Sequence, residues 1–339
     1  MSTRDPDAEG ELRAESPLAA PFVIGQVEIP NRVVLAPMSG VTTSAYRRHL
    51  KSHGAGLVVT EMVSAQGLLH DNARTAGYLA FAEEERPLAV QLFDDEPDAM
   101  SRAVERVLSR ARVPDLLDIN MGCPVRKVVK TGAGSALMAD PARAAAVASA
   151  AVQVASAARV PVMVKIRSGI EPGDGLAVRL APCLEAVGVA ALGIHARAAS
   201  EYYHGKADHS VTEAVVSAVD IPVMASGDMT SVEKALAVVE ATGAAAVMVA
   251  RGVTGNPWLV GELLSGRSAA RPVLPVVVDD LRRLLRLVAE EQGQERGALW
   301  IRKLLTCYLR PTRVPAPTIE AIKALETAQE VDAALGTLI

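Results

Sequence analysis

Cysteine pairs, long apolar runs and an excess of basic residues are all missing from this 339-residue sequence. Its three cysteines, Cys123, Cys183 and Cys307, lie far apart and form no CxxC pair. This argues against a disulfide framework or a zinc site and fits a reducing compartment. No apolar run approaches the ~20 residues that span a bilayer, and residues 1–20 carry acids where a signal peptide needs basic residues. We therefore expect a soluble, cytoplasmic protein without a membrane segment.

The net charge of −4 lacks the overall basic signature of a nucleic-acid-binding protein, but the charge is unevenly distributed. Residues 1–20 hold five acidic residues and two arginines, and we predict that they form a disordered tail. Between residues 262 and 313, ten basic residues outnumber six acidic ones. That segment could attract a polyanion, although a charged helical face is more often simply solvated.

Short β-branched runs alternate with Ala-rich helical stretches through most of the chain, a pattern typical of parallel βαβ units. A short pair of strands around a turn is predicted before them, within residues 22–36. A doubly wound open sheet would normally carry a Gly-rich dinucleotide fingerprint after an early strand, and none is present. The eight runs are 33–38, 56–62, 88–93, 116–121, 162–167, 190–196, 222–227 and 245–251.

Eight such units match the size of a (β/α)8 TIM barrel, which we predict over residues 21–264 as an α/β catalytic domain. Asp140 and Pro141 predict the start of a helix over 141–158. Thr230 or Ser231 would cap another helix that ends at Thr242-Gly243. Residues 265–339 show only helical spacing, and we predict a separate helical domain there.

One stretch, residues 116–138, combines a buried strand with a thiol and a basic loop. Cys123 stands between a glycine and a proline at the end of the strand, and Arg126, Lys127 and Lys130 follow it. A free cysteine is usually a small buried hydrophobe, and reactivity depends on exposure and neighbouring charge. The loop alone leaves both interpretations open.

The predicted strand ends are unusually polar, and barrels of this kind place their active sites there. The last two strands end in Ser226-Gly227-Asp228 and Ala250-Arg251, where such barrels commonly bind phosphate. Lys165 is predicted to face inward, where a buried ammonium needs an anionic partner, and His195 could add a second contact. A phosphate site, a lysine and a cysteine around one ring suggest a flavin mononucleotide (FMN) oxidoreductase. We find no zinc or magnesium constellation and no Ser-His-Asp spacing.

With these residues in view, the chain resembles the tRNA-dihydrouridine synthases, most closely their bacterial B-type branch. The resemblance covers about residues 22–313 and is carried by seven motifs in the family's order. These are DINMGCPVRKVVKTGAGSALM (118–138), APMSGVT (36–42), VQLF (90–93), VKIRSG (164–169), IHAR (194–197), SGDM (226–229) and VARGVTGNPW (249–258).

The resemblance implies that NADPH reduces FMN, that hydride passes to C6 of a uridine in tRNA, and that Cys123 protonates C5. It also implies that the C-terminal helical domain binds tRNA. The implied FMN contacts are Pro37, Met38, Gln91, Lys165, His195, Ser226, Gly227, Asp228, Ala250 and Arg251. The implied tRNA contacts are Asn120, Arg126, Lys127, Lys130, Arg197, Arg302, Lys303 and Tyr308.

Some positions depart from the family pattern. Ser226 stands where an asparagine is common, Ala250 where a glycine is usual, and Leu304 where a histidine is usual. Aromatic residues make up only 3% of the chain. Base stacking would therefore depend on few rings; the candidates are Tyr202, Tyr203, Trp300 and Tyr308.

Two rival functions follow from the same residues. One is an FMN barrel that reduces a small molecule, as dihydroorotate dehydrogenases and ene-reductases do; the basic loop and the basic helical segment argue against it. The other is a non-catalytic tRNA-binding protein that keeps the barrel as a scaffold. An intact Cys123 and Lys165 argue against that alternative.

Overall fold

The computed structural model describes residues 16–70, 75 and 77–339. Its strands form a two-stranded hairpin and a closed parallel barrel. They are β1 Phe22–Ile24, β2 Val27–Ile29, β3 Val33–Leu35, β4 Leu57–Val59, β5 Val63–Ser64, β6 Leu88–Phe93, β7 Leu116–Met121, β8 Val162–Gly169, β9 Ala191–Ala198, β10 Val223–Ser226 and β11 Ala246–Val249.

Eight of these strands close the barrel in chain order: β3, β4, β6, β7, β8, β9, β10 and β11, which pairs back with β3. The β4–β6 pairing sets Val58 opposite Leu88, and the two-residue β5 adds to the end of β6. All eight predicted runs contain a barrel strand, so the predicted TIM barrel is confirmed. Parallel strands buried on both faces read as nearly continuous apolar runs, which is why the pattern was legible.

Helices cover the outside of the barrel and form the C-terminal region. They are α1 Ser44–Ser52, α2 Ala65–Leu69, α3 Pro97–Leu108, α4 Arg126–Val129, α5 Pro141–Ala157, α6 Leu176–Ala186, α7 Ser210–Val216, α8 Val232–Thr242, α9 Leu259–Ser265, α10 Leu274–Gln292, α11 Gln294–Leu309, α12 Ala316–Ala324 and α13 Ala328–Gly336. Among the residues described, none of these helices has the length and apolar character needed to cross a membrane.

Two of the predicted helix boundaries are confirmed by their caps. The Asp140 carboxylate accepts the Arg143 backbone N–H at 3.0 Å, with Pro141 as the first helical residue. The Ser231 hydroxyl caps α8 in the same way, and Gly243 ends that helix in the left-handed conformation at φ +68°. These side chains satisfy backbone groups that the helix itself leaves unpaired.

The barrel interior is apolar toward the N-terminal ends of its strands. Inward residues such as Met163 and Met224 belong to one buried cluster with Phe22, Ile24 and Ile29 of the β1–β2 hairpin. The hairpin therefore packs against this end of the barrel. The opposite end, where the strands finish, carries the polar side chains.

The C-terminal helices pack onto the barrel through α1, which contacts α10. One continuous apolar cluster includes Leu35 of the barrel as well as Leu284 and Leu305 of the C-terminal helices. The predicted boundary between the barrel domain and the helical domain, at residue 265, falls at the last residue of α9.

The predicted disordered tail needs correction at its end. Residues 1–15 lie outside the described part of the chain, but residues 16–20 belong to the fold. Leu18 is fully buried, and the Ser16 hydroxyl donates a hydrogen bond to the Leu263 carbonyl at 2.7 Å. The acid-rich composition ends at Glu15, so the tail prediction extended five residues too far.

Candidate active site at the strand ends

A cavity of about 750 Å³ opens at the C-terminal ends of the barrel strands, within the usual range for small-molecule sites, about 300–1,000 Å³. It brings together most of the residues predicted from the sequence. Those in its wall are Pro37, Met38, Gln91, Asn120, Cys123, Lys127, Lys165, His195, Arg197, Ser226, Gly227, Asp228, Ala250 and Arg251.

A chain of hydrogen bonds runs from the buried Asp118 through two side chains of the cavity wall to the cysteine turn. Gln91 Nε2 donates to Asp118 Oδ2 at 2.6 Å, and Asn120 Nδ2 donates to Gln91 Oε1 at 2.9 Å. Asn120 Oδ1 accepts the backbone N–H groups of Cys123 at 2.9 Å and Gly122 at 3.2 Å. Asp118 is fully buried, and that burial raises its carboxyl pKa to about 7. The sequence analysis had treated Asp118 only as an interruption of an apolar run.

Cys123 is half-buried in the cavity wall. Its carbonyl accepts the Ser135 backbone N–H at 3.0 Å, and Gly134, at φ +64°, passes so close that a Cβ would lie 2.7 Å from that carbonyl oxygen. Burial raises the thiol pKa, against the lowering effect of the Val125 backbone N–H and the cations Arg167 and Lys165. The thiol therefore keeps its proton at neutral pH and can act as an acid.

Lys165 lies on β8 directly opposite Asn120 of β7. Burial lowers the pKa of its ammonium to about 8. Within the described residues its Nζ forms no hydrogen bond and no ion pair, although it lies in the cavity wall. Asp118 acts on this ammonium only beyond ion-pair distance. A cation in the cavity wall that lacks a contact partner among the described residues favours an anionic or electron-rich ligand.

Several cations surround His195 in the cavity wall. Burial, followed by the cations Lys165, Arg167, Arg197 and Arg251, lowers the His195 pKa to about 2, so the imidazole is neutral. Four cations that converge on one wall favour an anion such as a phosphate.

The two predicted phosphate turns are shaped differently. Gly227, at φ +123°, passes so close to the next loop that a Cβ would lie 2.8 Å from Ala207 Cβ. Asp228 uses its carboxylate inside the protein, where it accepts Arg197 Nη2 at 2.7 Å and the Ala207 N–H at 2.9 Å. Arg251 forms no ion pair within the described residues, so its guanidinium is available to a ligand.

Arg197 was predicted to contact the substrate, and this stays a prediction: the residue lies in the cavity wall, but most of its guanidinium is engaged within the protein. It is 2% exposed. Besides Asp228, its guanidinium donates to the carbonyls of His204 and Gly205, each at 2.9 Å. Its Nε and Nη2 groups are therefore engaged in supporting the 199–209 loop.

Arg167 is a site residue that the sequence-based list missed. It is buried, and it donates to the Gly122 carbonyl at 2.9 Å and to the Ala198 and Tyr202 carbonyls at 2.8 Å. It thus joins the cysteine turn to the 199–209 loop. The VKIRSG motif pointed to the position, but its partners, which come from two other strand ends, are not visible in the sequence.

Tyr203 offers an aromatic face at the cavity mouth. The residue is 54% exposed, and two guanidinium groups lie near its ring, Arg251 at 5.2 Å and Arg167 at 5.6 Å from the ring centre. Tyr202, the neighbouring candidate ring, is also exposed, whereas Trp300 and Tyr308 are buried.

The basic residues predicted to contact the substrate fall into two groups. Arg126, Lys127 and Lys130 are exposed on and beside α4, at the cavity rim, and form no ion pair within the described residues. In the C-terminal region, Lys303 is exposed and donates to the Gly40 carbonyl of the barrel. Arg302 is partly buried and donates to the Leu325 carbonyl at 2.9 Å.

The prediction that Tyr308 contacts the substrate is wrong. Tyr308 is fully buried between the barrel and the C-terminal helices. Its hydroxyl lies 3.1 Å from His49 Nε2 and donates to Asp280 Oδ2 at 3.3 Å. Asp280 Oδ1 also forms a hydrogen bond with His53 Nε2 at 2.9 Å. The two histidines and Asp280 could ligate a metal ion by type and proximity, but both carboxylate oxygens already accept hydrogen bonds.

A parallel eight-stranded barrel with a polar, cation-lined cavity at its strand ends has the architecture of the TIM-barrel enzymes. The sequence model described as dihydrouridine synthase (Dus) matches residues 34–337. The chain therefore belongs to the dihydrouridine synthase family, a family of oxidoreductases.

Curated relatives agree with this assignment. A protein named tRNA-dihydrouridine synthase B from Pseudomonas aeruginosa is 36% identical over 290 residues, covering 84% of this chain and 86% of the relative. A probable tRNA-dihydrouridine synthase from Mycobacterium tuberculosis is 35% identical over 327 residues, covering 93% and 84%. The resemblance to the B-type branch is thus confirmed.

Solved structures of old yellow enzymes share the fold. The homologue from Zymomonas mobilis matches with a TM-score of 0.57 at 15% identity, covering 76% of this chain and 95% of that one. The enzyme from Trypanosoma cruzi matches with a TM-score of 0.58 at 13% identity, covering 76% and 94%.

Proposed function

We propose that this protein is an FMN-dependent tRNA-dihydrouridine synthase. It reduces the C5–C6 double bond of specific uridines in tRNA, with NADPH as the reductant and Cys123 as the proton donor, in the cytoplasm. One observation carries the proposal: a protonated thiol, a lysine without a contact partner among the described residues and three arginines border the same cavity. The names of the curated relatives agree with it.

The residues present fit FMN. Lys165 supplies an unpartnered ammonium for the electron-rich ring, and Gln91 retains one amide N–H beyond the one given to Asp118. Gly227 lets backbone approach a phosphate, and Arg251 supplies a charge-assisted contact. When bound, FMN supplies the hydride that it has taken from NADPH. Ala250, in place of the usual glycine, must leave room for the phosphate.

Cys123 provides the proton in this mechanism. As hydride reaches C6 of the uracil ring, the Sγ–H bond breaks, its proton forms the new C5–H bond, and the electron pair remains on sulfur as a thiolate. The raised pKa keeps the donor protonated beforehand, while Arg167 and Lys165 favour the thiolate that follows. Solvent then reprotonates the sulfur.

The substrate must present a uridine that has left its stack, because the thiol lies inside the cavity. Arg126, Lys127 and Lys130 on the rim are positioned for backbone phosphates, contacts that position nucleic acid without reading its sequence. Tyr203 offers a face for an extruded base. Lys303 and Arg302 would extend the contact surface onto the helical domain over residues 265–339.

Two alternatives make different demands on the molecule. A small-molecule reductase on the same fold would have no use for three exposed cations at the cavity rim that are unpaired within the described residues. A non-catalytic tRNA-binding protein would have no use for an unpartnered lysine in the cavity floor, which costs stability.

The decisive experiment uses the purified protein with FMN, NADPH and tRNA transcribed without modifications. Mass spectrometry of digested tRNA should show dihydrouridine, and mapping should place it at discrete positions. Flavin reduction by NADPH without any dihydrouridine would favour the small-molecule reductase. A protein that binds tRNA but cannot be loaded with FMN would favour the non-catalytic alternative.

A further inference from the structure

Asp118 is an unusual group to find buried behind the cavity wall, where it contacts the wall residue Gln91. Its carboxylate is fully buried on β7, and within the described residues it has no cation at ion-pair distance. Oδ2 accepts Gln91 Nε2 at 2.6 Å, whereas Oδ1 has no hydrogen-bond partner among those residues. A buried carboxylate with one hydrogen bond is costly to keep. Simple packing does not explain its presence, because an apolar side chain of similar size would serve better.

The carboxylate has one property that an apolar or amide side chain lacks, since in its ionised form it can only accept hydrogen bonds. With a pKa raised to about 7 by burial, the group is mainly ionised at pH 8, where the tests below are made. Gln91 must therefore turn Nε2 toward Asp118, which leaves Oε1 facing Asn120. Asn120 in turn donates Nδ2 to that oxygen at 2.9 Å. Its Oδ1 is then the atom that faces the cysteine turn.

The orientation of the last amide matters because its partners are donors. Asn120 Oδ1 accepts the backbone N–H of Cys123 at 2.9 Å and that of Gly122 at 3.2 Å. With both amides reversed, Asn120 would present an NH₂ group to two N–H groups, and the turn that carries the thiol would have to move. The two ends of a side-chain amide have nearly the same shape, so packing alone does not select the orientation.

We infer that Asp118 is a positioning residue for the cysteine turn, acting through the amides of Gln91 and Asn120. Its role in turnover rests on the proposed function, but its effect on the thiol does not. The carboxylate sets one direction for the hydrogen bonds along β6 and β7. Cys123 is thereby held where its proton can be delivered.

Asp118→Asn tests this inference because it keeps the shape and the acceptor but adds a donor that permits the reversed direction. We expect it to retain FMN and the rate of flavin reduction by NADPH within about threefold. Reoxidation of the reduced flavin by unmodified tRNA should slow about tenfold or more. Thermal stability should stay equal or rise, since a buried charge has been removed, which a merely structural role would not produce.

The thiol itself gives a readout that does not depend on catalysis. In a background lacking Cys183 and Cys307, the rate at which iodoacetamide alkylates Cys123 should change at least threefold in Asp118→Asn, by an order-of-magnitude expectation. Asp94→Asn is the matched control, because Asp94 is also buried and accepts backbone N–H groups but forms no hydrogen bond with Gln91 or Asn120. It should leave the alkylation rate unchanged.

A double-mutant cycle shows whether the effect passes through Gln91. In a Gln91→Met background the hydrogen-bond chain is already broken, so Asp118→Asn should have no further effect on alkylation or reoxidation. An undiminished effect there, or wild-type alkylation and reoxidation in Asp118→Asn alone, would overturn the inference. If tRNA fails to reoxidise the wild-type flavin, the proposed function fails, and the alkylation cycle still decides the role of Asp118.

Discussion

Two polar clusters lie in and beside the barrel, and they differ in how many of their polar atoms find a hydrogen-bond partner within the protein. At the seam between α1 and the C-terminal helices, Asp280 accepts His53 at 2.9 Å, His49 at 3.2 Å and Tyr308 at 3.3 Å. Apart from His49 Nδ1, the polar atoms of this cluster have partners. At the cavity, Asp118 Oδ1 has no hydrogen-bond partner within the described residues. Lys165 Nζ, in the cavity wall, forms no hydrogen bond and no ion pair with them.

Fold stability explains the first cluster and cannot explain the second. A satisfied network contributes to a unique packing arrangement, whereas unpaired buried groups cost free energy until a ligand completes them. The difference separates two sets of substitutions. Changes at the seam should lower stability and spare chemistry, and changes in the cavity should do the reverse.

The largest effect is expected for Cys123→Ala. Loss of a general acid should lower turnover of unmodified tRNA about 10²–10⁴-fold, while the bound flavin spectrum and thermal stability stay unchanged. Cys307→Ala is the control, because Cys307 is exposed outside the cavity. Normal steady-state turnover in Cys123→Ala would contradict the assigned role.

Asp280→Ala should have the opposite profile. It leaves three buried donors without an acceptor, and the free energy of unfolding should fall by about 3 kcal/mol. Urea denaturation measures this loss, with Asp279→Ala, an exposed neighbour on the same helix, as the control. If Asp280→Ala changed the FMN affinity and left the stability unchanged, the proposed difference between the two clusters would be wrong.

A pair of lysines sharpens the comparison, because burial lowers the pKa of both Lys51 and Lys165 to about 8. Lys51 Nζ donates to the Gly56 carbonyl at 3.1 Å, whereas Lys165 has no such partner. Lys165→Met should weaken FMN binding about 10–100-fold, since a charged hydrogen bond contributes about 1.5–3 kcal/mol. It should not lower the stability of the cofactor-free protein.

Lys51→Met should lower stability by about 1 kcal/mol and leave FMN affinity unchanged. Fluorescence titration with FMN and urea unfolding of the cofactor-free proteins measure both properties. Equal FMN affinity in the two variants would show that Lys165 does not contribute to FMN binding.

Sequence reasoning located the strands and most of the cavity wall because both are local signals. Each barrel strand is a contiguous apolar run, and Cys123 and Lys165 stand at or near strand ends. Asp118 was passed over because its function depends on Gln91 from the neighbouring strand. Neither the segment of Gln91 nor that of Asp118 shows by itself which strand it pairs with.

Tyr308 was misassigned for a similar reason. A tyrosine in a basic helical segment is a natural candidate for contact with nucleic acid. Its partners His49 and Asp280 come from two other helices, and only the packing of α10 and α11 on α1 buries it. Leu18 escaped notice because one apolar residue after an acidic segment carries no periodic signal.

The stability that the cluster at the seam contributes should also fall at acidic pH. Burial lowers the His49 pKa, although Asp280 opposes this, and the His49 and His53 hydrogen bonds lower the Asp280 pKa. Both groups bind protons more readily when unfolded, so stability is full above the unfolded histidine value of about 6.5 and falls below it. Asp280 adds a further loss below about pH 4.

Urea unfolding at pH 7.5 and pH 5.5 measures this dependence, which is limited to about 1.4 kcal/mol per pH unit for each group. His195 and His209 also have lowered pKa values and act in the same direction. His49→Gln isolates the seam, because glutamine can still donate to Asp280 but does not titrate. An unchanged pH dependence in that variant would show that His49 stays neutral in both states or is protonated in both.

The smallest effects are expected on the rim, where Arg126, Lys127 and Lys130 are exposed and unpaired among the described residues. Each single substitution to alanine should weaken tRNA binding only slightly and lower the salt dependence of affinity by about one counterion. Arg159→Gln is the control, because this exposed residue precedes β8 at the opposite end of the barrel. Because phosphate contacts position without specifying, the three variants should modify the same uridines as the wild type, only more slowly at low tRNA concentration. A change in which uridines are modified would instead mean that α4 recognises features of the tRNA sequence. The rim residues would then contribute to substrate specificity and not only to binding.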